Sequence, residues 1–347
     1  MEPSTVKPCL KVVGLHVEDF RALRRVDWPA DGIGWNGEVP DLVMVGGVNG
    51  SGKTTLLELI ADAARMLRGD GPLMWASSAT VNAWVDFQIR SQLTGEFSFR
   101  VLVGDKLFTQ QNRTEECLRF VRTPTAFGVI EDGAPRTRLH GLFNDPISYE
   151  ESDFPGIVYL PTERKFNIPD VPFKPIGDIE PPRDFFFKFK SAENWDESLG
   201  ALLHAARWAD LNAKEEGSPE KAKHFESYSK AFQVFFGDAK HLTWEGGKLF
   251  VKIDATSERH QLMDLSSGEK QALILAAELY RRWRPGSLIL IDEPELHFHT
   301  SWQTTLWTML ERWQKERGGQ VIVATQSTHL FRIAAPETTV LLGGPLA

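Results

Sequence analysis

The chain has 347 residues, of which 42% are hydrophobic and 25% charged, a composition typical of a globular protein with an ample core. Its formal net charge of −8 argues against a surface that coats nucleic acid by charge alone, although a local basic strip stays open. The sequence has no apolar run approaching ~20 residues, no visible secretory signal and two widely spaced cysteines, so we expect a cytoplasmic protein without a membrane span or a disulfide framework.

The first elements predict a strand, a glycine-rich loop and a helix. Residues 9–27 alternate as a strand and a turn, and residues 41–45 form an apolar run typical of a buried strand. The sequence GVNGSGKT follows at residues 47–54 and fits the phosphate-loop pattern G-x-x-x-x-G-K-[ST]. Residues 55–67 then repeat apolar side chains at helical spacing. This is the context that the pattern requires.

The chemistry of such a loop predicts an ATP site. Glycines let backbone N–H groups turn inward around the β-phosphate, and the following helix offers its positive N-terminus. Lys53 would reach the β- and γ-phosphates, and the Thr54 hydroxyl would ligate Mg²⁺. The predicted ATP-binding residues are Gly47, Asn49, Gly50, Ser51, Gly52, Lys53, Thr54 and Thr55.

The middle of the chain changes its periodicity. From about residue 75 to residue 122 the apolar period approaches two and turn signals separate the runs, which predicts an antiparallel, β-rich subdomain. Residues 157–160 predict another short strand. The phenylalanine-rich run at residues 185–189 suits either core packing or a partner-binding patch. Residues 195–236 predict helices with a break near 217–219, and residues 249–253 predict a strand.

The last hundred residues return to an α/β rhythm. The pattern predicts helices at 269–283 and 301–316 and strands at 288–291 and 320–324. The first of these strands is apolar and delivers two carboxylates to its C-terminal end, as a Walker B strand does. Asp292 would hold Mg²⁺ through water, and Glu293 stands where a general base could deprotonate the attacking water.

A third motif, LSSGE at residues 265–269, precedes the helix at 269–283. Taken alone, it is a good helix N-cap followed by an acidic first turn. In this order, however, the three motifs resemble those of ABC-type ATPases, in which this signature loop contacts the γ-phosphate held by the other subunit. The resemblance implies an ATP-sandwiched homodimer. The residues that would act in trans are Ser266, Ser267, Gly268 and Glu269.

Within that group the chain is similar to non-transporter ATPases of the AAA_21/OLD type, relatives of RecF, SMC and Rad50 heads. The runs NGSGK at 49–53, VYLPTER at 158–164 and EPELHFH at 293–299 carry the resemblance. It implies an α/β P-loop NTPase fold, the ABC ATPase head, with a mixed sheet core, a β-rich antiparallel subdomain and a helical insertion. We expect an N-terminal ATPase lobe at 1–160, a helical insertion lobe at 161–260 and a C-terminal ATPase lobe at 261–347.

Three departures from the group's pattern matter. Gln326 stands where a switch histidine is expected; it can hydrogen-bond the γ-phosphate but cannot take a charge, which predicts slow hydrolysis, and His329 should point elsewhere. In the loop that normally places a glutamine near Mg²⁺, Glu163 is a candidate ligand, although a salt bridge to Arg164 is favoured. Because only 21 residues follow Gln326, we expect no C-terminal Toprim nuclease domain. The predicted catalytic residues are Glu293, Lys53 and Gln326.

Four side chains outside the motifs admit two interpretations. His297 and His299 form a weak metal pair because no third ligand is near in sequence, and a role at the dimer interface is favoured. Phe20 and Trp28 could stack on adenine, although core packing is the default.

The leading functional prediction is an ATPase that dimerises around ATP and switches a partner. The partner would be an effector nuclease or toxin, or a DNA or RNA complex, in the DNA repair or phage-defence context of many relatives. The alternative is a scaffold that holds ATP with little turnover, a hypothesis that Gln326 keeps open. A transporter ATPase subunit is a remote third hypothesis, because the run EPELH departs from the transporter pattern.

Overall fold

The computed structural model of the chain describes residues 8–28, 39–66, 82–91, 95–103, 117–122, 127–132, 155–162, 185–186, 199–218 and 223–343. Its N-terminal half comprises β1 (Cys9–Phe20), β2 (Leu23–Trp28), β3 (Leu42–Gly46), α1 (Lys53–Met66), β4 (Asn82–Ser91), β5 (Gly95–Val103), β6 (Cys117–Arg122), β7 (Phe127–Asp132), β8 (Ile157–Leu160) and β9 (Phe185–Phe186). Its C-terminal half comprises α2 (Leu199–Glu215), α3 (His224–Phe236), β10 (Lys240–Glu245), β11 (Lys248–Ile253), β12 (Arg259–His260), α4 (Ser267–Arg282), β13 (Leu288–Asp292), α5 (Thr300–Arg317), β14 (Gln320–Thr325), α6 (Thr328–Ile333) and β15 (Thr339–Leu341).

The central sheet has the strand order β15-β3-β14-β13-β8-β9, and each of its strand pairs is parallel. Every residue of β8, β13 and β14 is buried, which explains why these strands are uninterrupted apolar runs. Because the strands are parallel, the carboxyl ends of β3, β8, β13 and β14 meet at one edge. This edge positions the candidate site.

The second large sheet, ordered β2-β1-β4-β5-β6-β7, is the β-rich subdomain predicted from the sequence. Its strand pairs are antiparallel except one. The prediction of a wholly antiparallel subdomain is wrong at β5 and β6, which pair in parallel with Arg100 opposite Cys117. Parallel neighbours need a longer connection than a hairpin turn, and the length of the segment at 104–116 allows one. The antiparallel pairs thus lie outside the parallel central sheet, both here and in the small sheet β10-β11-β12.

The central sheet is covered on both faces. One face packs with α1 and with the inward side of the second sheet in a single apolar cluster. The other face packs with α2, α3, α4 and α5 in a second cluster. The predicted break between the first two of these helices is confirmed: the Asp210 carboxylate accepts hydrogen bonds from the backbone N–H groups of His224 (2.8 Å) and Phe225 (3.0 Å), which starts α3. The division of the chain at residues 160 and 260 stays a prediction.

The helices of the described residues differ from a membrane span in length or hydropathy. Within the ranges that the structure describes, none of the helices combines the length and the apolar character needed to cross a bilayer.

The buried side chain of Gln320 joins the two large sheets. Its Oε1 accepts a hydrogen bond from the Val12 N–H (2.8 Å), and its Nε2 donates to the carbonyl oxygens of Val12 (3.2 Å) and Pro40 (3.0 Å). One amide therefore satisfies three backbone groups between β1 and the start of β14.

We expect Gln320→Leu to lower the free energy of unfolding by about 2–5 kcal/mol, because it leaves buried backbone groups without partners. The control Gln314→Leu removes a half-buried amide with one long bond of 3.4 Å to the Gly319 carbonyl. That control should cost less than about 0.5 kcal/mol. Urea unfolding measures both, and equal losses would contradict the assigned role of Gln320.

Candidate nucleotide-binding site

The phosphate loop, residues 47–54, leads from the end of β3 into α1, as the sequence pattern predicted. Gly50 (φ +80°) and Gly52 (φ +96°) adopt left-handed backbone conformations that glycine tolerates best. A Cβ atom on Gly52 would also lie 2.4 Å from Cδ2 of Leu23, which belongs to β2. The turn between β1 and β2 therefore packs against the loop and helps to fix its shape.

Lys53, at the start of α1, is 95% buried within this loop. Its ammonium group donates to the carbonyl oxygens of Gly47 (3.0 Å) and Val48 (3.2 Å). The same Nζ lies 4.0 Å from Oε1 of Glu293. The structure thus brings together two of the three predicted catalytic residues, one positive and one negative, at the edge of the central sheet.

The carboxylate of Asp292 is fully buried at the end of β13 and is the meeting point of two hydroxyl groups. Oγ1 of Thr54 and Oγ1 of Thr162 each donate to its Oδ2, both at 2.7 Å. Hydroxyl and carboxylate oxygens are ligands that Mg²⁺ prefers, so this donor set fits the predicted metal.

Thr162 is a residue that the sequence reasoning missed. The sequence offered the neighbouring Glu163 only as a candidate, and Glu163 lies outside the described residues. The available signal was a hydroxyl residue two positions beyond β8, a strand that pairs with β13 in parallel. Parallel neighbours end side by side, so a hydroxyl at this point lies near Asp292.

Glu293 adopts a left-handed backbone conformation (φ +43°), which is unusual for a residue other than glycine. Its N–H still donates to the Ala324 carbonyl (2.8 Å), so the turn begins directly after the last bond to β14. Its side chain is 18% exposed and faces Lys53. Such backbone conformations cost about 1–3 kcal/mol and persist only where the surroundings hold them.

Glu295 is buried, and burial raises the pKa of its carboxyl group despite hydrogen bonds that favour the charged form. Its Oε1 accepts a hydrogen bond from Oγ1 of Thr325 and a second from the N–H of Gln326 at 3.3 Å. The side chain of Gln326 is exposed at the end of β14. His329, three residues later, has its Nε2 within 2.8 Å of Oγ1 of Thr304 on α5.

The signature loop, residues 265–269, forms the N-terminus of α4. Ser266 caps the helix: its Oγ accepts from the Glu269 N–H (3.3 Å), and its own N–H donates to Oε2 of Glu269 (2.8 Å). Burial alone would raise the pKa of Glu269, but hydrogen bonds from Lys240 and Ser266 outweigh it and hold the pKa below its ordinary value. The capping interpretation is confirmed, and Ser266 and Ser267 are exposed.

Gly268 has a packing reason within the chain itself. A Cβ atom at this position would lie 2.7 Å from the carbonyl oxygen of His297. The signature loop therefore rests directly on the loop that follows β13, residues 293–299, here called the Walker B loop.

The remaining candidates lie apart from these groups. His297 and His299 are exposed, and His299 caps α5 by accepting from the Ser301 N–H (3.3 Å). Phe20 and Trp28 are core residues, 1% and 3% exposed, and are not available for stacking on adenine. The side chains of the phenylalanine run at 185–189 lie outside the described residues.

A comparison with known protein families finds a similarity over the C-terminal part of this site. Residues 249–332, which contain the signature loop, β13 and β14, match AAA_21, described as an AAA domain, putative AbiEii toxin, Type IV TA system. Over this segment the chain is similar to the AAA_21 family. The matched segment does not include the phosphate loop, so this similarity is independent of that motif.

More distant similarities accompany the AAA_21 match. A 117-residue stretch is 31% identical to the Retron Ec83 probable ATPase of Escherichia coli and covers 30% of this chain but only 21% of that relative. Two solved structures are similar in outline: an SMC head bound to the C-winged helix domain of ScpA (TM-score 0.47, 15% identity, 92% of this chain, 91% of that chain) and the SMC head of Thermotoga maritima (0.44, 16%, 97%, 93%). The fold assignment rests on the strand order and the phosphate loop.

We expect Gly268→Ala to destabilise the protein by about 1–3 kcal/mol, because its new methyl group meets backbone that cannot move freely. The control Ser267→Ala changes the exposed neighbour and should cost less than about 0.5 kcal/mol. Thermal unfolding measures both. A Gly268→Ala variant as stable as its control would show that the His297 contact is not tight.

Proposed function

We propose that this protein binds Mg·ATP, hydrolyses it slowly and uses the bound nucleotide to close a homodimer. The observation that supports this most directly is the convergence of Lys53, Thr54, Asp292 and Glu293 at one edge of the parallel sheet. These four side chains come from two elements far apart in the sequence. Chance similarity to a single motif does not explain their meeting.

In the proposed site, the backbone N–H groups of the phosphate loop surround the β-phosphate, and Lys53 exchanges its carbonyl partners for phosphate oxygens. Mg²⁺, when bound, neutralises charge on the β- and γ-phosphates. Thr54 and Asp292 would hold the ion, and Thr162 orients Asp292 through a hydrogen bond of 2.7 Å.

Glu293 is the proposed general base. Its carboxylate lies 4.0 Å from the Lys53 ammonium, and it loses this neighbour when Lys53 turns to the phosphates. A water between Glu293 and the γ-phosphate is then positioned for attack. Gln326 donates a hydrogen bond to the γ-phosphate from a neutral amide. Because this amide cannot take a positive charge, slow turnover is favoured.

The proposed dimer uses the exposed serines of the signature loop. Ser266 and the N–H of Gly268 would contact the γ-phosphate held by a second copy, so that the closed state is favoured only with ATP. The proposed partner is an effector nuclease, a toxin or a nucleic-acid complex, in a DNA repair or antiviral defence context in the cytoplasm. The names of a retron ATPase and of a toxin–antitoxin family among the similar proteins agree with a toxin or a defence system.

A low-turnover scaffold is the second candidate function. The observation that favours it is Gln326, a neutral and exposed side chain where a histidine is expected. A scaffold binds ATP tightly and shows a rate near zero with and without DNA, whereas a repair or defence ATPase is stimulated by its partner.

We expect Glu293→Gln to lower kcat by at least about 100-fold while ATP still binds, because only the base is lost. Light scattering with Mg·ATP should then report a shift from monomer to dimer, and adding Ser266→Arg should abolish that shift. Glu316→Gln, an exposed carboxylate at the end of α5, is the matched control and should behave as wild type.

Two results would contradict this proposal. If Glu293→Gln keeps the wild-type kcat, Glu293 is not the general base. If neither ATP nor Ser266→Arg changes the molecular mass in solution, Ser266 acts only as a helix cap.

We expect Thr162→Val to weaken metal binding by roughly 10- to 100-fold, as loss of an orienting hydrogen bond to a metal ligand does. Electron paramagnetic resonance with Mn²⁺ and a non-hydrolysable ATP analogue measures this directly. Thr162→Ser should restore the affinity because it keeps the hydroxyl, and Thr305→Val on α5 serves as the control. If the Thr162→Val and Thr162→Ser variants bind Mn²⁺ with equal affinity, the Thr162 hydroxyl has no part in the metal site.

A further inference from the structure

A continuous set of hydrogen bonds links the Walker B loop with the loop after β14, residues 325–327, here called the switch loop. Beyond the contact between Glu295 and Thr325, the Ser327 N–H donates to Oγ1 of Thr325 (2.9 Å), and the Ser327 hydroxyl donates to Oε1 of Gln303 (2.5 Å). Nε2 of Gln303 then donates to the Phe298 carbonyl (3.1 Å). The chain of bonds thus returns to the loop from which it started.

Glu295 holds the central position in this set. It lies two residues after the strained Glu293, and its own carbonyl accepts the Phe298 N–H (2.8 Å), which closes the turn. Its carboxyl group reaches across to the end of β14 and accepts from both Thr325 and the Gln326 N–H. A single side chain therefore spans the two loops that would face the γ-phosphate.

Packing alone does not account for a carboxyl group here. Glu295 is 7% exposed, and its second oxygen, Oε2, is buried without a hydrogen-bond partner in the part of the chain that the structure describes. A buried carboxyl group with one oxygen lacking a hydrogen bond lowers the stability of the fold, and an apolar side chain would fill the same space more favourably. What an apolar residue cannot do is accept hydrogen bonds from the switch loop.

We propose that Glu295 is a positioning residue that holds Glu293 and Gln326 in one rigid unit. This inference rests on the proposed hydrolytic function, since it concerns the placement of the base and of the residue facing the γ-phosphate. Without the bonds from Glu295, the turn loses its side-chain link to the switch loop, and Glu293 is held less firmly in its left-handed conformation. Nucleotide binding, which depends on the phosphate loop, would continue while the attacking water lost its alignment.

The test compares kcat, KM and the affinity for a non-hydrolysable ATP analogue in four variants. Glu295→Ala and Thr325→Val should each lower kcat by roughly 10- to 100-fold, the cost of a misplaced catalytic group, and leave KM and analogue affinity within about threefold. Glu295→Gln keeps an acceptor oxygen and should stay within about threefold of wild-type kcat. The double variant Glu295→Ala/Thr325→Val should be no slower than the slower single variant, because both remove the same bond.

Glu278→Ala provides the control for losing a buried carboxyl group. Glu278 is 6% exposed on α4 and pairs with Arg282 at 2.5 Å, away from the site. The Glu278→Ala substitution should lower the melting temperature and leave the kcat of the folded protein unchanged. If Glu295→Ala does only the same, or if its analogue affinity falls as far as its kcat, the inference is wrong.

Four further outcomes bear on this inference. A Glu295→Gln variant as slow as Glu295→Ala would overturn the role of the accepted hydrogen bonds. If Glu295→Ala does not fold, Thr325→Val and Glu295→Gln decide the question alone. Wild-type protein that binds ATP without any turnover would contradict the proposed function itself, whereas normal turnover in Thr325→Val would contradict only the role of Glu295.

Discussion

The site depends on one buried carboxylate oxygen, Oδ2 of Asp292, which accepts hydrogen bonds from Thr54 and Thr162 at 2.7 Å each. These bonds tie the start of α1 and the end of β8 to the end of β13. A buried carboxylate is tolerated only where hydrogen bonds hold it, so its neighbours cannot drift without a large cost. The parallel sheet makes this meeting available, because parallel strands present their carboxyl ends at one edge.

Next to Asp292, the chain leaves β13 in a strained turn that its neighbours hold in place. The strained turn at Glu293 begins after the last bond between β13 and β14, and Glu295 secures its far side. The signature loop packs against the same turn through the contact of Gly268 with the His297 carbonyl. Strain at the proposed base is therefore supported from two directions, which is how local strain persists in folded proteins.

Local patterns were sufficient to predict much of this arrangement. The glycine loop between a strand and a helix, and the apolar strand ending in Asp292, need only neighbouring residues for recognition. The parallel pairing of β5 with β6 could not be predicted, because strand partners far apart in sequence leave no local pattern. The hydrogen bond from Thr162 to Asp292 also required the structure, since the direction of a side chain after a strand depends on tertiary packing.

The exposed Gln326 explains why geometry carries unusual weight in the proposed mechanism. A histidine can compensate for imperfect placement by taking a charge, whereas a glutamine offers only a directional, neutral hydrogen bond. Such a bond contributes when its donor lies within a narrow range of distance and angle. A neutral residue at this place therefore requires a backbone that does not move independently of the base, and the buried carboxyl group of Glu295 joins the two. In the proposed mechanism, the fixed position of the switch loop would substitute for the charge that a histidine would supply.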